Sequence, residues 1–266
     1  MVHHQFTRCN MINASLESCF AFVNSHTSVS RAASAESQVR RAVTISRQAG
    51  CGAVLVAEQL ARYLQHHSPA TEARWTVFDR ELMEKVLADH NLPKYLAKFL
   101  PEDRASRIED TLADVFGVHP PTHKVVQQTA ETILQLAELG DAILIGRAGN
   151  IVTAKLPTIL HVRLVAPLED RIERICRDDH KTAAEARRFC LEEEQARARY
   201  VKTYFNADIN NPLLYHLIIN TSRVGCENAA RIIGEATLRL GREPDLQVAS
   251  DNSRRIHEPN LCRLVA

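Results

Sequence analysis

The β-branched run Ala42-Val43-Thr44-Ile45 leads directly into Ser46-Arg47-Gln48-Ala49-Gly50-Cys51-Gly52-Ala53, and apolar residues at helical spacing follow. Strand, glycine turn and helix is the arrangement in which backbone N–H groups converge on an anion and the positive end of a helix adds to the attraction. The chemistry it suits is phosphate binding. The standard phosphate loop reads G-x-x-x-x-G-K-[ST], with the lysine reaching the β- and γ-phosphates and the hydroxyl holding magnesium. With Gly52 as the second glycine, the first falls on Arg47, the lysine on Ala53 and the hydroxyl on Val54. The sequence keeps the elements of a backbone cradle and lacks both the lysine and the metal ligand.

Chemistry also stands at the ends of other apolar runs. Trp75 to Phe78 ends in Asp79-Arg80-Glu81, Ala142 to Ile145 in Gly146-Arg147-Ala148-Gly149-Asn150, and Tyr215 to Ile219 in Asn220-Thr221-Ser222-Arg223. Together with Ala42 to Ile45 and Ile159 to Val165, these short runs read as five parallel strands covered on both faces. Helical spacing recurs between them, in Val54, Leu55, Leu60, Ala61 and Leu64, and in Val125, Val126, Thr129, Ile133, Leu136 and Ala137 after Pro120-Pro121. Leu168, Ile172, Ile175 and Cys176 form another apolar face, which leaves Arg171, Arg174 and Arg177 on the rest of that helix. Thr182-Ala183-Ala184-Glu185 has capping-box spacing and opens a long charged helix. The class is α/β, with ligands expected at the carboxyl ends of the strands.

Composition bounds the partners. The 266 residues suffice for one sizeable core, and 33 basic against 32 acidic residues leave a net charge of +1. No global field then draws the chain to nucleic acid or an anionic membrane, so neither is expected as a partner, and any anion affinity is local. No apolar run approaches the roughly 18 to 20 residues of a bilayer span. The 7 cysteines are scattered and free of C-x-x-C spacing, which predicts neither disulfide framework nor zinc site and suits a reducing cytoplasm. The 12 histidines form no H-E-x-x-H pattern, so no protein-bound transition metal is expected. His161 lies inside a strand, where a hydrogen-bonded histidine is the ordinary case. Residues 1–39 read as a flexible N-terminal extension, 40–240 as the organised domain and 241–266 as a polar C-terminal tail.

Taken in order, Ser46-Arg47-Gln48-x-Gly50-x-Gly52, Asp79-Arg80-Glu81, Gly146-Arg147, Ala166-Pro167-Leu168-Glu169-Asp170-Arg171-Ile172, Ala196-Arg197-x-x-Tyr200 and Tyr215-x-Leu217-x-x-Asn220-Thr221 resemble the cytidylate kinase-like family over about residues 42 to 236. The resemblance implies a P-loop three-layer α/β/α sandwich with a helical lid. It also implies transfer of the ATP γ-phosphoryl group to a nucleoside monophosphate such as CMP, with ATP and Mg2+ as cofactors and nucleotides as partners. By the same resemblance Ser46, Gly50, Cys51, Gly52, Ala53 and Val54 form the donor cradle, and Arg147 clamps the acceptor phosphate. Asp79 orients the acceptor or a magnesium-bound water, Arg47 is the cation left in the loop, and Arg174 and Arg197 are lid-region arginines.

The departures from the family pattern are specific. The family commonly continues its loop as G-S-G-G-R-E, where this chain reads Gly50-Cys51-Gly52-Ala53-Val54-Leu55, and its D-G-R-D strand end becomes Ile145-Gly146-Arg147-Ala148. A weakened donor site is expected, and a non-catalytic nucleotide sensor or interaction module on the same fold is the alternative. Plainer readings stand beside single residues. Asp79 has the position of an ordinary helix N-cap, Cys51 that of a small residue in a tight turn, and the exposed arginines those of surface ion pairs.

Overall fold

The computed structural model describes residues 40–68, 74–88, 102–116 and 124–240, with positions 21, 22, 25, 96 and 100. Most of the expected N-terminal extension and all of the expected C-terminal tail lie outside the described residues. Strands β1 (Ala42–Arg47), β2 (Thr76–Phe78), β3 (Ala142–Ile145), β4 (Ile159–Val165) and β5 (Leu217–Asn220) form one sheet in the order β2-β3-β1-β4-β5. Every pairing is parallel, and Ser46 stands opposite Arg163.

Successive side chains of a strand point to opposite faces, and β1 and β3 divide their residues accordingly. Val43, Ile45, Ile143 and Ile145 join a core with helices α1 (Ala53–His67) and α9 (Cys226–Arg239). Ala42, Ala142 and Leu144 join a second core on the other face. Its further members come from α2 (Arg80–Ala88), α3 (Glu102–Phe116) and α4 (Lys124–Leu139). Helices thus cover the sheet on both sides, as the three-layer reading requires. Phe22 also belongs to this second core, 1% exposed and edge-on to Phe78 at 5.2 Å. A reading of the first 39 residues as a loose extension does not anticipate it.

Three elements position the site. Helix α5 (Gly149–Val152) is a single turn after β3. Helices α6 (Leu168–Asp179) and α7 (Ala183–Phe205) pack together, and Thr182 and Glu185 form the expected capping box at the start of α7. Ile172, Ile175, Ala186 and Cys190 close a small core over Ala49, so this pair of helices is seated on the glycine turn. Among the described residues no helix is long and apolar enough to cross a membrane. Helix α8 (Thr221–Val224) follows β5, and the Asn220 side chain accepts from the N–H groups of Ser222 and Arg223.

The second face of β4 is polar where a doubly covered strand is ordinarily apolar. His161 is buried, its Nδ1 lies 2.9 Å from Thr44 Oγ1, and its ring stacks on His216 at 4.8 Å. Burial, and secondarily His216, draws its pKa down from 6.5 to about 4. The unfolded chain therefore takes up a proton that the folded chain refuses, and stability is full above about pH 6.5 and falls as pH drops towards 4. Between pH 7.5 and 4.5 this histidine is expected to remove about 2 to 3 kcal/mol. Urea midpoints measured across that range should flatten in His161→Gln, and an unchanged slope would assign the loss to other groups.

Candidate phosphate-binding site

The glycine turn is open at its N–H groups and closed at its carbonyls. Gly50 and Gly52 take φ of 76° and 80°, which turns the peptide units outward on one side. Arg171 Nη1 donates to the Ala49 carbonyl at 3.2 Å, Arg174 Nη1 to that of Gly50 at 2.9 Å, and Thr221 Oγ1 to that of Cys51 at 2.8 Å. Among the described residues nothing accepts from the N–H groups of Gly50, Cys51, Gly52, Ala53 or Val54. Val54 and Leu55 point outward, 53% and 46% exposed, so neither fills the turn. This is an anion nest at the start of a 15-residue helix, and its donors fit the phosphates of a nucleotide. Its side chains do not fit a magnesium ion, because Val54 carries no oxygen. Among the described residues no group of three or more His, Cys, Asp or Glu could hold a metal.

Cys51 is buried at 1%, and burial pushes its thiol up to about 11. It is a packing residue of the turn and stays protonated at neutral pH. Asp79 is the N-cap of α2, accepting the Leu82 N–H at 2.8 Å, and does not line the cavity described next. Arg171, expected on a polar helix face, is 4% exposed and ties Ala166, Ala49 and Glu194 together. It braces the loop.

A cavity of about 250 Å³ opens beside the carboxyl ends of β1 and β3, with one wall formed by α7. Ser46 and Arg47 enter it from β1, Gly146 and Arg147 from the turn after β3, and Glu193, Arg197 and Tyr200 from α7. Three of the sequence-predicted arginines, Arg47, Arg147 and Arg197, are thus brought together, whereas Arg174 lies against the turn itself. A Cβ on Gly146 would coincide with the Arg47 guanidinium, so glycine there is what lets that side chain lie across the strand end. Burial, and then Arg197, draws the Arg47 guanidinium down from its ordinary value to about 10, which leaves it charged at neutral pH. Arg147 pairs with Glu84, which also binds Arg80 at 3.0 Å. Arg197 Nη2 donates to Glu193 at 2.7 Å, while Arg197 Nη1 is buried and without a hydrogen-bond partner.

Backbone strain marks the same spot. Gly146, Arg147 and Ala148 are consecutive residues at φ of 84°, 53° and 56°. A non-glycine residue in this region costs about 1 to 2 kcal/mol, and such strain gathers at functional sites. Arg147→Gly is expected to raise folding stability by up to about 1 kcal/mol, the relief being offset by unfolded-chain entropy, while it weakens anion binding. Urea unfolding and a nucleotide titration on the same sample check both signs. A destabilised variant would mean that Arg147 supports the fold rather than burdening it.

Arg163 escapes a reading that looks only at strand ends. It lies in the middle of β4, 6% exposed, and donates to Ser46 Oγ at 3.0 Å and Asn210 Oδ1 at 2.9 Å. Its Nη1 also lies 3.4 Å from the Tyr215 hydroxyl. The available signal was a charged residue inside the otherwise apolar run Ile159-Leu160-His161-Val162-Arg163-Leu164-Val165.

The chain is 30% identical over 112 residues to a cytidylate kinase of Methanoregula boonei, covering 41% of this chain and 60% of that protein. It is 26% identical over 156 residues to a cytidylate kinase of Methanocaldococcus jannaschii, covering 57% of this chain and 87% of that one. The match thus spans three fifths of the Methanoregula protein's length and most of the other. Among solved structures, an uncharacterized protein from Eubacterium ventriosum superposes over 74% of this chain and 98% of its own, with a TM-score of 0.57 at 16% identity, a likeness of fold. The profile of the cytidylate kinase-like family matches residues 42–223, from the first residue of β1 to the turn after β5, and the chain belongs to that family.

Proposed function

We propose that the chain is a nucleotide phosphotransferase that moves the ATP γ-phosphoryl group to a nucleoside monophosphate such as CMP. The supporting observation is the convergence of Arg47, Arg147 and Arg197 on one cavity, with the open N–H nest of Gly50 to Val54 following Arg47 in the same turn. Phosphoryl transfer asks a protein mainly to position two phosphates and neutralise charge on the equatorial oxygens, which guanidinium groups do bidentately. ATP supplies the phosphoryl group, and Mg2+ would arrive on its phosphates, since the loop offers no ligand. Arg147 exchanges Glu84 for the acceptor phosphate. Arg47 and Arg197 meet the charge between donor and acceptor, and Arg174 holds the Gly50 carbonyl away from the donor phosphates. A cytoplasmic setting is part of this reading, with Cys51, Cys176, Cys190 and Cys226 as free thiols.

The loop substitutions, Ala53 in the place of the lysine and Val54 in that of the hydroxyl, favour a second reading, a non-catalytic nucleotide sensor on the same fold. A binding titration and a coupled kinase assay across ATP, GTP and the common monophosphates separate the two, with Arg147→Ala and Arg47→Ala as controls. Turnover lost in both variants supports the enzyme. Binding without turnover for every acceptor supports the sensor, and absence of any nucleotide binding removes both.

A further inference from the structure

Arg163 is a buried cation whose described partners are all neutral. Its guanidinium reaches Ser46 Oγ, the Tyr215 hydroxyl and Asn210 Oδ1, and it lies 5.6 Å from the centre of the Tyr215 ring. Among the described residues no carboxylate comes within ion-pair distance of Arg163 or Arg47. Taking a guanidinium out of water without an opposite charge is among the costlier arrangements in a protein. Such a group ordinarily answers to an anion.

A second cavity, about 210 Å³, opens on this group and shares Arg47 and Arg197 with the larger cavity. Arg147 does not reach it. Arg47, Arg163 and Arg197 line it, with Gln48, Gln195 and Asn210 as neutral polar neighbours. Arg197 brings the buried Nη1 that has no partner. The carboxylates nearby are engaged elsewhere: Glu194, the lining acid, pairs with Arg171, Glu193 pairs with Arg197 through its other nitrogen, and Asp208 accepts the Asn210 N–H at 2.9 Å. Three guanidinium groups against one committed carboxylate leave the wall strongly positive. Guanidinium forks bind phosphate bidentately, and a phosphoryl group carries nearly two negative charges where a carboxylate or a halide carries one, so it answers three of them best.

We infer that this side cavity is a phosphate-binding site separate from the clamp formed by Arg147. The inference does not depend on the chain being a kinase. Its occupant is a phosphoryl group, either free inorganic phosphate or a second phosphate carried by a ligand already seated in the larger cavity. In both cases Arg163 holds the anion while its bonds to Ser46 and Tyr215 fix two walls of the larger cavity, so occupancy of one site orders the other.

The decisive variant is Asn210→Asp. It keeps the side-chain shape and places a carboxylate at the 2.9 Å contact with Arg163. Inorganic phosphate is titrated against the thermal midpoint of the full chain, with sodium chloride at matched ionic strength as the control for screening. The expected result is a phosphate-specific rise in wild type and in Arg147→Ala. In Asn210→Asp the midpoint without phosphate should be higher, and at least tenfold more phosphate should be needed for the same rise. A wild type that does not respond to phosphate overturns the inference, and so does an equal response in Asn210→Asp. A response lost in Arg147→Ala and kept in Asn210→Asp also overturns it, because the anion then sits in the larger cavity.

Saturating CMP and cytidine 3′,5′-bisphosphate distinguish the two sources. Phosphate affinity unchanged or raised by both identifies free phosphate. Competition by the bisphosphate alone identifies a second phosphate of one ligand. Competition by CMP as well assigns the anion to the larger cavity and overturns the inference. If no nucleotide binds and the phosphate response still shows the Asn210→Asp signature, the kinase reading fails and the side-cavity site stands.

Discussion

A single methyl group at Gly50 is expected to cost about 2 to 5 kcal/mol of folding stability and to abolish anion binding by the turn. Gly50 sits at φ 76°, where any other residue is strained by about 1 to 2 kcal/mol. A Cβ there would also stand 2.7 Å from the Arg171 carbonyl oxygen and 2.9 Å from Ile175 Cδ1. The first of these is backbone and cannot swing aside. Overpacking of this kind costs about 1 to 3 kcal/mol more. Gly225→Ala, at φ 81° and ψ 152° with nothing within 4 Å of the added carbon, is a comparison that carries backbone strain without overpacking. Urea unfolding of both variants measures the difference, and ATP titration of Gly50→Ala measures the binding. A loss below about 2 kcal/mol in Gly50→Ala would mean that α6 is not seated on the turn in solution.

Arg197→Ala is expected to lower kcat/KM for phosphoryl transfer by about 10²- to 10³-fold, the usual effect of removing one preorganised donor to developing charge. Arg197 lines both cavities and keeps one nitrogen buried and free, an arrangement whose cost is met only when an anion arrives. Arg197→Lys should recover little, because a point ammonium on a flexible stem does not replace a planar fork. Arg177 supplies the comparison. It is exposed and, among the described residues, paired with Glu173 on its own helix, so Arg177→Ala should change neither rate nor stability measurably. A coupled assay across the three variants tests this ranking, and comparable rates for Arg197→Ala and Arg177→Ala would remove Arg197 from the site.

Much of the fold was legible because parallel strands buried on both faces leave short apolar runs that little else produces. The runs beginning at Ala42, Ala142 and Ile159 appear as β1, β3 and β4 with the same first residues. Strand ends were legible for a related reason: Arg47 and Arg147 follow apolar runs abruptly, and the topology gathers those ends at one edge of the sheet. Other assignments failed because local pattern does not carry partner identity. Arg171 and Arg174 sit three residues apart on one helix, and both hold loop carbonyls, whereas helical spacing alone placed them only off its apolar face. Phe22 was unreadable as a core residue because its partner, Phe78, lies far along the chain.

The sequence by itself determined the family, the order of the strands along the chain, and the absence of a lysine and a hydroxyl from the glycine turn. These follow from which residues stand at which positions. Only the tertiary structure decided that the turn remains an open nest, that Asp79 is occupied as a cap, and that Arg163 joins Arg47 and Arg197 at a second cavity. Each of those depends on which groups converge from β1, β4, α6 and α7. Burial and hydrogen bonding turn on convergence in space, and residues more than a hundred positions apart, such as Ser46 and Arg163, give no sign of it in the chain.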